Sequence, residues 1–451
     1  MKAIAWASCY LVAPDPVYDA LSELGHRLRA QGMQLIMFGP VADYSAYDGF
    51  HHVAIPYFMA EHGQLYGAEL VKESEAIGAT ALGEMVALDR VMGLAVPDEE
   101  AKACVARAMA FWERAFDLAQ PSVIIGWGTV VPISRLMERI AQRRQIPAFI
   151  MERGLLGDTV SLSFAGQIAL SSIATAPVLA NPPPLEGERC VAWDVIEHYY
   201  KQTGNRGYPD KNRIPDMKEW GYLRTDPGPR VIYFGSGDIG CGLNYTDPAL
   251  GERSASWVTS SMAAGQAVAD KLGRVAPGAS LWSKPHPHVP YIVQADTSKL
   301  TVRNIAEVDS NVLVAAADVC VTLASVTMAL GFIYDKPVMA LANSFLMGRD
   351  IAYEVTSAEE LEPALRAALA RDGWDERLAR GRALFVAMME QDLFGINVEV
   401  PTRLKMVDMA MLLGRFTRYV KIGTPSAEKR YAAFLELMGA ASAAKNITVV
   451  V

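Results

Sequence analysis

Two α/β domains in tandem, each a doubly wound parallel sheet, are expected of this chain. At 451 residues it is too long for one ordinary hydrophobic core. Short apolar runs alternate with amphipathic helical stretches through the first half, a pattern that builds a parallel sheet covered on both faces. The same alternation restarts after a proline- and glycine-rich break between about residues 180 and 228.

In the first half, KAIAWAS (2–8) reads as a strand, PVYDALSELGHRLRAQG (16–32) as a helix and MQLIMFG (33–39) as a second strand. HHVAIPYF (51–58) is a candidate third strand, and a longer helical region surrounds residues 99–120. Then come SVIIGWG (122–128, strand), VPISRLMERIAQRRQ (131–145, helix) and PAFIMERG (147–154, strand and loop). The break contains NPPPLEGERC, RTDPGPR and polar material between them, and reads as a linker.

Beyond it, RVIYFGSG (230–237) is a strand running into a glycine-rich loop. SASWVTSSMAAGQAVADKLGRV (254–275) is a helix, and ASLWSKPHP (279–287) a strand and loop. NVLVAAADVCVTLAS (311–325) holds a short helix, a strand and a turn; VTMALGFIYD (326–335) is a helix and KPVMALA (336–342) a strand. From about residue 375 the tail reads as helical. The expected domains are 1–225 with the linker, 226–400, and C-terminal helices over 401–451.

Apolar residues make up 51% of the chain and charged residues 20%, which places it among globular rather than disordered proteins. A net charge of −8 argues against a general nucleic-acid binder but leaves room for a local anion site. Five cysteines (Cys9, Cys104, Cys190, Cys241, Cys320) form no CxxC pair, and their odd number fits a reducing compartment. The opening MKAIAWASCYLVAPDP lacks a clean cleavage site and meets Asp15 early, so it reads as a buried strand rather than a leader. With no run of 18 apolar residues, no membrane span is expected.

Ligands in such sheets bind at the carboxyl ends of the strands, so polar residues there are the candidates. SKPHPHVP (283–290) follows a strand with three prolines, which stiffen the loop. Its Lys284 and His286 suit a phosphate, or are incidental to a rigid turn. Ser325 is placed as a helix N-cap, with Thr327 in the first turn; this is an anion site or plain capping. Glu152, at a strand end before Gly154, is a general-base candidate, with Asp158 a second; a structural salt bridge to Arg153 or Arg135 explains Glu152 equally.

YFGSGDIGCGLNYTD carries glycines at 235, 237, 240 and 242, where backbone can approach a phosphate or sugar closely. Ser236, Asp238 and Asn244 are its candidate nucleotide contacts. The loop matches neither a GxGxxG fingerprint nor a P-loop. Residues 402–421 combine five basic residues with Met, Leu and Phe; such a helix lies on an anionic membrane or packs with a solvated basic face. Tyr57, Phe58 and Tyr66 suit sugar stacking or core packing. No HExxH, Cys/His cluster, metal-spaced acidic run or GxSxG elbow is present in the sequence.

Taken in order, these residues resemble bacterial GT-B glycosyltransferases of the capsule-polysaccharide type, which include Kdo transferases. The motif layout is also similar to that of bacterial CMP-sialic acid transferases. The signatures stand here as Glu152-Arg153-Gly154, His286-Pro287 and Ser325, with DKPVMAL similar to the family's GKPV strand and ERGLLGDTVSLSFAG similar to a capsule-family stretch. The resemblance covers roughly residues 120–345. It implies a GT-B-like fold, two Rossmann-like domains facing across a cleft, and a metal-independent transferase with a CMP-linked ulosonic acid as donor substrate and no cofactor.

It also implies donor-phosphate binding by His286 and Ser325 and an acid/base role for Glu152; Lys284, Pro287, Thr327 and Gly235 to Asp238 are the further donor-site candidates, and Asp158 and His286 the further catalytic ones. The partners would be a nucleotide-sugar donor and a glycan, lipid-linked or protein acceptor. Surface-glycan synthesis in the cytoplasm, with peripheral membrane contact, would be the setting. Arg153 departs from the family's second acidic residue, Leu330 from a glutamate and Asp335 from a glycine, which leaves the donor sugar open. TLASV lacks the aspartate of the TDYSS motif of teichoic-acid glycerophosphotransferases. A nucleotide-sugar epimerase of the same fold and an inactive nucleotide-binding scaffold are the competing readings.

Overall fold

The computed structural model describes residues 3–8, 16–39, 44–54, 109, 112–127, 132–163, 179, 181–203, 217–237, 257–286, 291–296, 298–324, 327–342, 344, 347–396 and 399–421. The chain forms two compact units. One comprises Met1–Arg153, Asp158–Gln167 and Met389–Val451; the other comprises Gly154–Gly157 and Ile168–Met388.

The first unit opens with β1 (Ala3–Ser8), α1 (Pro16–Ala30), β2 (Met33–Gly39) and β3 (His51–Ala54), followed by β4 (Val123–Trp127), α2 (Pro132–Arg143), β5 (Ala148–Arg153) and β6 (Thr159–Ser163). Proline at the start of α1, Asp19 in its first turn and Arg27 and Arg29 in its last all suit the helix dipole. Its buried stripe of Val17, Leu21, Leu24 and Leu28 recurs at helical spacing. The strand β1 is covered on both faces, which is why it reads as a continuous apolar run. Ala5 and Ala7 join the α1 side of the core, while Trp6 packs on the other side against Phe38 (4.9 Å) and Phe116 (4.7 Å). Of the helical region expected over 99–120, residues 112–119 are described and are helical.

The second unit contains α3 (Glu188–Thr203), α4 (Met217–Thr225), β7 (Arg230–Phe234), α5 (Ser261–Val275), β8 (Ser280–Lys284), β9 (Thr301–Asn304), α6 (Ser310–Ala316), β10 (Val319–Thr322), α7 (Met328–Ile333), β11 (Val338–Ala340), β12 (Tyr353–Glu354), α8 (Leu361–Ala370) and α9 (Trp374–Gln391). Its six strands run in the order β12-β11-β10-β7-β8-β9, with every pairing parallel. Strand order therefore grows outward from β7 in both directions and reverses between β7 and β10. A crevice at such a switch point is where open α/β sheets bind ligands.

After α9 the chain adds β13 (Leu393–Gly395), β14 (Leu404–Lys405) and α10 (Met406–Lys421) to the first unit. The first sheet then reads β14-β13-β6-β5-β4-β1-β2-β3. Its β1–β5 strands pair in parallel, while β6 is antiparallel to both β5 and β13. Both units are thus mainly parallel, helix-covered sheets, the doubly wound α/β class expected.

Two details differ from the sequence reading. The stretch 180–228, expected as a linker, includes α3 and α4, and α3 belongs to the second unit: Arg189 donates to the Ala383 carbonyl at 3.0 Å, and Trp193 packs near Phe385. The tail, expected as helical throughout, carries β13 and β14, which extend the first sheet. Residues 402–421, read above as either a membrane-surface or a packed helix, place Met406, Met409, Ala410, Leu412 and Leu413 in the first unit's core, where α10 packs on α1. The expected boundaries at 225/226 and 400/401 thus fall elsewhere than the limits of the compact units. No helix among the described residues is long and apolar enough to cross a membrane.

Candidate functional site

Three strands of the second unit end level. Phe234 of β7 lies opposite Lys284 of β8 and Thr322 of β10. The segments leaving this carboxyl edge are Gly235–Gly237, Pro285–His286 and Leu323–Ala324. Of the expected donor-site residues, Gly235, Ser236, Gly237, Lys284, His286 and Thr327 are brought to this edge, beside the switch point. Asp238, Gly240, Gly242, Asn244, Pro287, Ser325, Tyr57, Phe58 and Tyr66 lie outside the described residues.

The glycine loop is clamped by a residue that the sequence reading missed. The Ser236 N–H donates to Ser261 Oγ at 2.8 Å, and Ser261 Oγ donates back to the Ser236 carbonyl at 2.9 Å. Tyr233 Oη donates to the Ser261 carbonyl at 2.7 Å. Ser261 opens α5, whose N-cap is Ser260, accepting from the Ala263 N–H at 3.0 Å. The loop thus rests on the positive end of a 15-residue helix, where anions are favoured. Ser236 is 5% exposed, and its Oγ has no hydrogen-bond partner among the described residues. A buried hydroxyl without a partner is costly unless something else satisfies it.

The two described glycines of the loop differ in their reasons. A Cβ on Gly235 would lie 2.1 Å from Tyr291 Oη, so Gly235 is required by the packing of Tyr291. A Cβ on Gly237 would lie 3.8 Å from His286 Cε1, which puts the imidazole directly beside the loop.

Lys284 is not aimed as the sequence suggests. Its Nζ donates to the carbonyls of Ala306 (2.7 Å) and Val308 (2.8 Å), on the connection from β9 to α6. Burial lowers its pKa from 10.5 to about 8, against the opposing pull of Asp309 and Glu307.

The serine turn also differs. The helix α7 begins at Met328 with Thr327 at its N-cap, and Thr327 makes no side-chain capping bond. Ser325, expected as that cap, precedes it by two residues. Only six residues long, α7 has a weak dipole. Leu330 is buried in it. Asp335 has φ 51°, the left-handed region that glycine fills most easily and aspartate tolerates. Its carboxylate accepts from Arg371 (2.6 Å) and Trp374 Nε1 (2.9 Å), so the side chain repays the strained backbone with two bonds.

A scan of protein-family models finds no match for this chain, and a search of curated proteins finds none either. Solved structures give distant likenesses. The KpsC β-Kdo 2,4-transferase of Thermosulfurimonas dismutans is 18% identical over 55% of this chain and 79% of its own, with a TM-score of 0.37. The glycosyltransferase SnogD of Streptomyces nogalater is 13% identical over 92% and 99%, TM-score 0.36. MnaA of S. aureus, solved with UDP, is 11% identical over 94% and 98%, TM-score 0.40.

In the first unit, Glu152 and Asp158 flank a hairpin. β5 runs one residue past Glu152 to Arg153, and Glu152 lies opposite Ser161 of the antiparallel β6. The left-handed residue of the turn is Asp158, at φ 57°, not Gly154. The Asp158 carbonyl accepts from the Ile396 N–H at 3.1 Å, tying the turn to the segment after β13.

Ser261, Tyr291 and Trp257 are the neighbours of the site that sequence reasoning passed over. Trp257 Nε1 donates to the Leu341 carbonyl at 3.1 Å, beyond the end of β11. The TSS triplet before α5 carried a capping signal for Ser260, but nothing local announced that Ser261 would reach back to residue 236. Among the described residues, no group of three or more His, Cys, Asp or Glu could hold a metal ion.

Proposed function

We propose that this chain is a glycosyltransferase that moves a sugar from a CMP-linked donor, an ulosonic acid such as Kdo or a sialic acid-like sugar, to a glycan or glycoconjugate acceptor. The reading rests on the carboxyl edge of the second sheet. There a glycine loop seated on a helix N-terminus, a buried Ser236 hydroxyl with no partner among the described residues and the His286 ring stand together. The Ser236 hydroxyl and the positive end of α5 receive the phosphate. The His286 imidazole donates a proton or hydrogen bond as negative charge builds on the departing CMP. Stabilised in this way, the leaving group needs no metal. Ser325, Thr327, Asp238 and Pro287 complete the donor side. Glu152 is assigned as the base that takes the acceptor hydroxyl's proton, with Asp158 as the second candidate. Synthesis of surface glycans from the cytoplasmic side, with peripheral membrane contact, is the setting that goes with this donor.

The test is CMP release from CMP-Kdo and from CMP-sialic acid, with and without a glycan acceptor. Acceptor-dependent release of CMP is expected. Conversion of a sugar nucleotide without any acceptor would replace this reading by an epimerase. Binding without turnover under either condition would replace it by a scaffold.

A further inference from the structure

Lys284 ends β8 with a side chain that is almost wholly buried and anchored twice. Both carbonyls it holds, Ala306 at 2.7 Å and Val308 at 2.8 Å, belong to the connection between β9 and α6. That connection continues into Asp309, the N-cap of α6, whose carboxylate accepts from the Asn311 N–H at 2.8 Å. The neighbouring backbone is also fixed: the Ile305 N–H donates to the Ser283 carbonyl at 2.7 Å, and the Gly235 N–H donates to the Lys284 carbonyl at 2.9 Å. Pro285 follows, buried and with its φ locked by the ring. His286 comes next, with its imidazole beside Gly237. Three consecutive residues thus run from a braced side chain, through a stiff one, to the imidazole.

We propose that Lys284 is a positioning residue for nucleotide binding: it braces residues 305–309 against the end of β8 and thereby holds His286 against the Gly235–Gly237 loop. The proposal rests on the donor-site reading above and assigns the lysine a place behind the ligand rather than in contact with it. A lysine that touched phosphate would act independently of His286. A lysine that acts through His286 loses its effect once the imidazole is gone.

The experiment is a double-mutant cycle read by calorimetric titration of CMP into wild type, His286→Ala, Lys284→Met and the double variant. Methionine keeps the length and apolar stem while removing the donor. His286→Ala is expected to weaken CMP binding about tenfold, the worth of one charge-assisted hydrogen bond. Lys284→Met is expected to weaken it comparably, and the double variant no further than His286→Ala alone. Multiplying factors in the double variant, or unchanged affinity in Lys284→Met, overturn the proposal. Should Lys284→Met fail to fold, the same cycle with Lys284→Gln, whose shorter side chain cannot reach both carbonyls, decides it by the same criteria. Absence of CMP binding by wild type would overturn the donor-site reading itself, and this inference with it, whereas multiplying factors would spare that reading.

Discussion

The buried ammonium of Lys284 should leave a signature in the pH dependence of stability. Its pKa is about 8 in the folded chain, against 10.5 for the ordinary lysine expected when unfolded. Between those values the unfolded chain binds more protons than the folded one, so stability rises with pH across that window. The gap corresponds to about 3 kcal/mol when fully traversed, and to roughly 1.3 kcal/mol between pH 7 and pH 9. Other groups titrate there too. Burial pushes the Cys320 thiol up to about 12, which lowers stability as pH climbs past its ordinary value of 9.0. Comparison with Lys284→Met removes such shared terms. Urea unfolding at pH 7 and pH 9 should show wild type gaining about 1 kcal/mol relative to the variant as pH rises. Parallel pH profiles for the two proteins would refute the claim that this ammonium is held desolvated.

Asp226, buried after α4, accepts from Arg303 Nε at 2.5 Å and from Trp282 Nε1 at 3.0 Å. Its replacement by alanine should cost about 2 kcal/mol in urea unfolding, less than for a fully buried pair because Arg303 can reach water. Gly235→Ala should cost about 1–3 kcal/mol, since the new Cβ displaces the Tyr291 ring, and in a Tyr291→Ala background, where the clash is gone, the same change should cost less in the same unfolding assay. Ser261→Ala removes both bonds to the Ser236 backbone and should cost about 1–3 kcal/mol while also weakening CMP in calorimetry.

The centre of the second sheet was legible because β7, β8 and β10 are short, buried and run into a glycine, proline or serine turn, whereas the polar β9 and the two-residue β12 carried no such signal. RVIYF, SLWSK and VCVT became β7, β8 and β10, and their ends carry the candidates that the sequence had singled out. Direction was harder to read. Lys284 and His286 stand two residues apart, and sequence reasoning aimed both at a ligand. The strand pairing that puts Ala306 and Val308 within reach of Nζ is a long-range contact that no local pattern encodes. The same limit hid Ser261, whose partner lies 25 residues upstream. The strands β13 and β14, three and two residues long, are too short to display any alternation, so the helical signal around them dominated. Asp335 shows the opposite case. A residue that looks like a departure from a glycine position keeps the glycine's backbone conformation and adds bonds to Arg371 and Trp374.

A thermal-shift panel with CMP, CDP, UDP and GDP, on wild type and on His286→Ala, addresses the donor site most directly. A ligand that binds only the native state raises the unfolding midpoint by mass action. CMP is expected to raise it, and His286→Ala to abolish most of the rise. A larger rise with UDP or GDP, or no rise with any of the four at millimolar concentration, would contradict the donor-site reading.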